Sequence, residues 1–229
     1  MRISMLDGRL ASAAGLVRQG ARFADIGTDH AHLPLALLRE GRIESAVCSD
    51  INRGPLESAM ANARDAGFFD KIKFVLTDGA AALAGEGLSD VAICGMGGEL
   101  IAAIIDAAPF LKDENIRLIL QPMSRQGQLR SYLAKNGFAV IKEVYSYSHG
   151  KYYVTICAEY TGECYEPALY ERELGRPEFL DTGCPECLGY LDARLKVYEK
   201  IAKGKREGGE DSCDEALLYQ YIKTLRKDI

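Results

Sequence analysis

Through the first 160 residues, short apolar runs alternate with stretches that repeat every three to four positions. The runs Arg22 to Ile26, Ser45 to Ser49, Lys73 to Leu76, Val91 to Cys94 and Arg117 to Leu120 read as buried strands. Leu33 to Glu40, Pro55 to Ala66, a short piece around Ala80 to Ala84, and Glu99 to Ala108 read as the helices between them. Gln126 to Asn136 follows the fifth run as a further helix. An N-terminal helix is expected within residues 1 to 20, with Leu6, Leu10, Ala13, Ala14 and Val17 on one face. Pro55 suits the first turn of its helix, where a missing N–H costs nothing, and Gly67 suits that helix's end. Such alternation predicts a mostly parallel sheet with helices on both faces. Ala139 to Tyr145 and Tyr152 to Glu159 have no helix between them, so an antiparallel pair is expected at the sheet edge.

The pattern changes after Tyr160. Between Tyr160 and Tyr190 stand seven acids and two bases among scattered prolines and glycines. This predicts a linker holding one short helix near Ala168 to Leu174. Beyond it, Leu188, Leu191, Leu195, Tyr198 and Ile201, then Leu217, Leu218, Tyr221 and Leu225, recur at helical spacing around a glycine-rich break at 204–211. That is the signature of a helical hairpin whose seam packs its two helices together. The expected fold is α/β: a Rossmann-like seven-stranded domain over residues 1–160, then a small α-helical domain over 161–229.

Composition narrows the class little. With 48% hydrophobic residues in 229, the chain can bury a substantial core, and a net charge of −5 gives no global attraction to nucleic acid. No apolar run of membrane-spanning length and no export signal is read, so neither a membrane nor a secreted location is expected. The seven cysteines fit reduced cytoplasmic thiols. Cys184 and Cys187 have zinc-like spacing but form a lone pair. His30 and His32 at i, i+2 make poor ligand geometry, so no metal is expected.

The chemistry concentrates in Phe23-Ala-Asp-Ile-Gly-Thr-Asp-His-Ala-His-Leu-Pro34 and Val47-Cys-Ser-Asp50. Asp50 follows Gly27 by 23 residues, close to the roughly 20-residue offset between a nucleotide-fold turn and its ribose carboxylate. A dinucleotide site needs several glycines to lay pyrophosphate against a helix N-terminus. Here the turn has only Gly27, and Asp29 would repel a phosphate. A cofactor with a cationic centre, S-adenosylmethionine, fits better. Asp25 is then expected to hold the ammonium through the turn, Gly27 to admit the backbone and Asp50 to take the ribose hydroxyls. Thr28, His30, Leu33 and Ile51 complete that part of the expected binding set. Asp78 and Gly79, after the third run, suit the adenine edge, and Gly95, Met96 and Gly97, after the fourth, form a thin rim. Gln121 and Pro122 close the fifth run, where Gln121 could hydrogen-bond a base. Each motif also has an ordinary turn or packing reading.

With those residues in place, the chain resembles the bacterial tRNA adenine-N1 methyltransferases that modify position twenty-two. The likeness runs from about Leu6 to Glu159. It rests on Leu6-Asp-Gly-Arg-Leu10, Ala24 to Pro34, Gly54-Pro-Leu-Glu-Ser-Ala59, Asp78-Gly79, Gly95-Met-Gly-Gly98 and Leu118-Ile-Leu-Gln-Pro122. The resemblance implies methyl transfer from S-adenosylmethionine to adenine N1 in the D-loop region of tRNA, with no obligatory protein partner. Under it, Asp29 is expected to supply a carboxylate near the base, with Gln121 and the Gly95 to Gly98 backbone holding the base. Arg2, Arg9, Arg18 and Pro122 are expected to contact RNA. The competing readings are a small-molecule methyltransferase on the same fold, a nicotinamide-dependent oxidoreductase and a non-catalytic nucleotide- or RNA-binding module.

Overall fold

A computed structural model describes residues 6–226. Seven strands, β1 (Phe23–Ile26), β2 (Ala46–Asp50), β3 (Ile72–Leu76), β4 (Asp90–Gly97), β5 (Arg117–Ser124), β6 (Phe138–Ser148) and β7 (Lys151–Tyr160), make one sheet in the order β3-β2-β1-β4-β5-β7-β6. The first five strands are parallel. β7 runs antiparallel between β5 and β6, because a tight turn returns the chain directly from β6. Strand order reverses between β1 and β4, which opens a crevice at their carboxyl ends.

Alternation along the strands sorts the core into two layers. Ala24, Ile26, Val91, Ile93, Leu118 and Leu120 point to the face covered by α4 (Gly98–Asp106) and α5 (Gln126–Lys135). Phe23, Ala92 and Ile119 point to the other face, covered by α1 (Gly8–Leu16), α2 (His32–Arg39) and α3 (Arg53–Asp65). The piece expected around Ala80 is a single 3-10 turn, Ala81–Leu83.

Two expectations need correction. The stretch after Tyr160 is no linker. It contains α6 (Leu169–Leu174) and a 3-10 turn, and it buries Leu174 and Leu180 in the sheet's own core. The hairpin helices, α7 (Pro185–Glu207) and α8 (Cys213–Leu225), also join that core, through Cys187, Tyr190, Leu191, Tyr198, Leu218 and Ile222. The seam therefore packs the two helices together and α7 also against β6 and β7, and among the described residues no separate core forms after residue 160.

The second correction concerns Arg18. Its Nε donates to Asp90 Oδ1 at 2.7 Å and its backbone N–H to Asp90 Oδ2 at 2.8 Å. Nη2 donates to the carbonyls of Ser89 and Asn115. Asp90 is fully buried at the amino end of β4, opposite the crevice. Arg18 thus compensates a buried carboxylate and is not brought to the site.

Candidate active site

The crevice at the strand reversal is a cleft with two lobes that share Gly27, Asp50 and Met96. One lobe, about 280 Å³, lies toward α3 and α4. Its walls include the apolar side chains of Ile51, Leu100 and Ile104, and its polar positions include Asp50 and Asp78. The other lobe, about 510 Å³, reaches toward α1 and is lined by Asp7, Arg9, Asp25, Asp29, His32 and Met123 among others. Both volumes suit parts of an organic ligand.

The turn after β1 is built to carry this cleft. Gly27 takes φ +71°, and a Cβ there would fall 2.0 Å from Met96 Cε. The amides of Gly27 and Thr28 both donate to the Ser49 carbonyl at 2.8 Å, which pins the turn to β2. His30 and Ala31 follow with φ +58° and +56°, a strained pair of non-glycine left-handed residues that restarts the chain as α2. This double reversal turns His30 out of the lining, against Asp29 and the ring of His32, and brings His32 in.

Asp25 is 6% exposed, and Thr28 Oγ1 donates to its Oδ2 at 2.6 Å. Burial raises its pKa from 3.8 to about 7; the Thr28 bond opposes this, and the Asp50 and Asp29 charges add to it. Thr28 itself is fully buried and lines neither lobe, so it positions Asp25. Asp50 closes β2; its Oδ1 accepts from the Asn52 amide at 2.7 Å, which fixes the carboxylate at the junction of the lobes. Asp29 sits at the mouth, its side chain 81% exposed and 3.2 Å from His30 Nε2. Leu33, Gly79 and Gly95 line the cleft where the spacing predicted, whereas Gly97 caps α4 outside both linings.

At the end of β5 the sequence reading missed the pleat. Gln121 is fully buried: its Oε1 accepts from Arg9 Nη1 at 3.0 Å and from the Gly95 amide at 3.2 Å, and its Nε2 donates to the Pro122 carbonyl. Its amide is spent inside the protein, so it holds Arg9 and the β4 rim in place and does not present itself to a base. Pro122 is likewise buried, and Met123 takes the outward position beside the cleft. A period of two from Ile119 runs through Gln121 to Met123 and could have found it, but the irregular β4–β5 pairing past Cys94 hides it. Arg9 does reach the cleft, from the first turn of α1, and its Nη2 lies 3.3 Å from Asp7 Oδ2. Asp7 also caps α1, accepting from the Leu10 amide at 2.8 Å. Arg2 lies outside the described residues.

The lining excludes some chemistry. Burial holds the Cys94 thiol protonated, far above the usual range, so it is no nucleophile. Among the described residues no cluster of three metal-ligating side chains occurs. Among the described residues the lining sets a cluster of carboxylates around one arginine, which fits a cationic ligand and opposes a pyrophosphate. The residues present fit S-adenosylmethionine: the cleft offers a buried acid, a bare glycine, a second acid where the lobes meet and an apolar slot beside Asp78.

Comparison with known proteins agrees. A methyltransferase-domain family model matches residues 6–156. The tRNA (adenine(22)-N(1))-methyltransferase of Bacillus subtilis is 34% identical over 154 residues, 67% of this chain. The match spans 65% of that curated relative's length. A Streptococcus pneumoniae structure, a candidate tRNA (m1A22) methyltransferase in complex with S-adenosyl-L-methionine, superposes with a TM-score of 0.82 at 31% identity, covering 95% of this chain and 99% of that one. The Bacillus subtilis m1A22 tRNA methyltransferase TrmK superposes with a TM-score of 0.78 at 26% identity, covering 97% and 96%.

Proposed function

This chain belongs to the methyltransferase-domain family, among the bacterial tRNA (adenine-N1) methyltransferases, and we propose that it transfers the methyl group of S-adenosylmethionine to N1 of an adenine in the D-loop region of tRNA. The observation that carries the reading is the acidic two-lobed cleft: one lobe shaped for adenosine, the other open beside a buried carboxylate. A small-molecule methyltransferase would share the first lobe. The length of the likeness to tRNA-modifying relatives favours tRNA.

S-adenosylmethionine, when bound, supplies an electrophilic methyl on a positively charged sulfur. Bound there, the cofactor would give its methyl to the N1 lone pair and keep the C–S electrons on sulfur, so the base would gain the positive charge with no proton transfer. The protein's task is alignment and charge. Asp25 and Asp50 fix the cofactor, Met123 and Leu10 wall the open lobe, and Asp29 at its mouth offers negative charge to the base as its ring becomes cationic. N1 is hidden in any Watson–Crick pair, so the target base is unpaired or flipped into the lobe. The division at residue 160 keeps a functional meaning in this proposal: the sheet holds the cofactor, and the helices beyond it help seat the tRNA. The reaction is assigned to the cytoplasm, where its substrate is found. Among the described residues no helix is long and apolar enough to cross a membrane.

Incubation with radiolabelled S-adenosylmethionine and unmodified bacterial tRNA, followed by nucleoside analysis, is expected to place the label in 1-methyladenosine. Cofactor binding without label in tRNA would overturn the substrate assignment. A second expectation concerns pH. The ligand's cation favours ionised Asp25, so below about 7 binding must release a proton. Affinity should therefore rise up to about tenfold per pH unit toward 7 and level off above it. In the free protein the sign is opposite: a carboxylate raised from 3.8 to about 7 makes the fold less stable as pH climbs through that window. Calorimetric titration of Asp25→Asn should show weaker binding without the slope, and an unchanged slope would show that another group titrates.

A further inference from the structure

Among the described residues the open lobe is lined by one arginine, and that arginine is locked. Arg9 Nη1 is held by the buried Gln121 and Nη2 by Asp7, and the two side chains of the Asp7–Arg9 pair are 23% and 20% exposed. Asp7 is fixed in turn by its cap on the Leu10 amide. Both line the lobe that seats the target base in the proposed reaction. A guanidinium beside a ring that becomes cationic is unhelpful as charge stabilisation, so Arg9 needs a different role. Its five N–H groups leave three beyond the two bonds just named. A fixed acceptor beside a fixed donor matches one edge of adenine, the side carrying the N6 amine and N7. Guanine presents two acceptors there, O6 and N7, so its O6 would face the Asp7 carboxylate.

We infer that Asp7 and Arg9 read the N6–N7 edge of the target adenine, Asp7 accepting from N6 and Arg9 donating to N7, and so select adenine over guanine while leaving N1 free to face the methyl. The inference rests on the functional reading above and adds the specificity device. It also separates two carboxylates. The amine has two hydrogens; Asp7 takes the one beside N7, and Asp29 at the mouth remains for the one beside N1.

The test is a tRNA with 7-deazaadenine at the target position, which removes the N7 acceptor and leaves a more basic N1, so that any loss of rate is one of recognition. Wild-type kcat/KM should fall roughly tenfold on this substrate relative to adenine. Arg9→Ala should fall similarly on adenine and then show no further loss with 7-deazaadenine. Asp7→Asn keeps the helix cap and exchanges the carboxylate for an amide that can donate. It should bind tRNA carrying guanine at the target position at least as tightly as tRNA carrying adenine, where the wild type prefers adenine. Indifference of the wild type to N7, or equal losses from 7-deazaadenine in wild type and Arg9→Ala, would overturn the inference while the methyltransferase reading stands. Failure of the wild type to methylate the adenine tRNA would bring down both.

Discussion

Replacing Asp50 by alanine is expected to weaken S-adenosylmethionine binding by about 100-fold to 10,000-fold. The carboxylate stands where the two lobes meet, and its Oδ1 is already oriented by the Asn52 amide at 2.7 Å. Bonds from two ribose hydroxyls to an ionised acceptor contribute about 1.5–3 kcal/mol each, which sums to that range. The fold should notice little, because Asp50 is half-buried at a strand end and gives up one local turn bond. Calorimetry on the variant, beside its thermal melt without ligand, separates the two effects. Affinity within a few-fold of the parent would remove Asp50 from the ribose site.

Glu143→Ala is expected to destabilise the protein by about 3–5 kcal/mol. Glu143 and Arg130 form a buried two-pronged pair, Nε to Oε1 at 2.7 Å and Nη2 to Oε2 at 3.0 Å, with side chains 1% and 4% exposed. Tyr145 donates to the same carboxylate at 3.0 Å, and Arg130 also donates to the Arg172 carbonyl. At Gly175 a Cβ would fall 2.3 Å from Glu143 Oε2, so the chain closes over the pair with no room for a side chain. Truncating the acid leaves a guanidinium buried without its counter-charge, which is the costly case. Replacing both members together with apolar side chains, Arg130→Met with Glu143→Leu, should cost far less than the single change. Urea unfolding checks this through a lowered midpoint at constant slope. A loss under 1 kcal/mol for Glu143→Ala would mean water reaches the site.

The strands, the Gly27 turn and the acid closing β2 were legible because each follows from a local rule: apolar runs, one obligatory left-handed position and a fixed offset. What failed depended on geometry that no local rule contains. His30, expected in the binding set, lies outside the lining and His32 lies in it, because two successive non-glycine residues adopt left-handed backbone, which residue type does not announce. Gln121 looked like a base holder, yet the β4 irregularity brings the Gly95 amide and Arg9 to it and closes it from view. Arg18 differs from Arg9 in lying just past the other end of α1, beside a buried acid whose position the sequence does not reveal. The segment after Tyr160 reads as a linker in the sequence because Leu174 and Leu180 show no period. They are single anchors on a surface made by distant strands.

That shared core has a mechanical meaning. α7 has 23 residues, about 35 Å of helix, and its first half is seated on β6 and β7 through Tyr190 and Leu191. α8 returns along it and leans on α6, where Tyr221 meets Tyr170 at 5.0 Å between ring centroids. The arm is therefore a braced strut. A polymer that touches both the strut and the cleft is measured against a span set by the fold, and it gains that register without first ordering a tether.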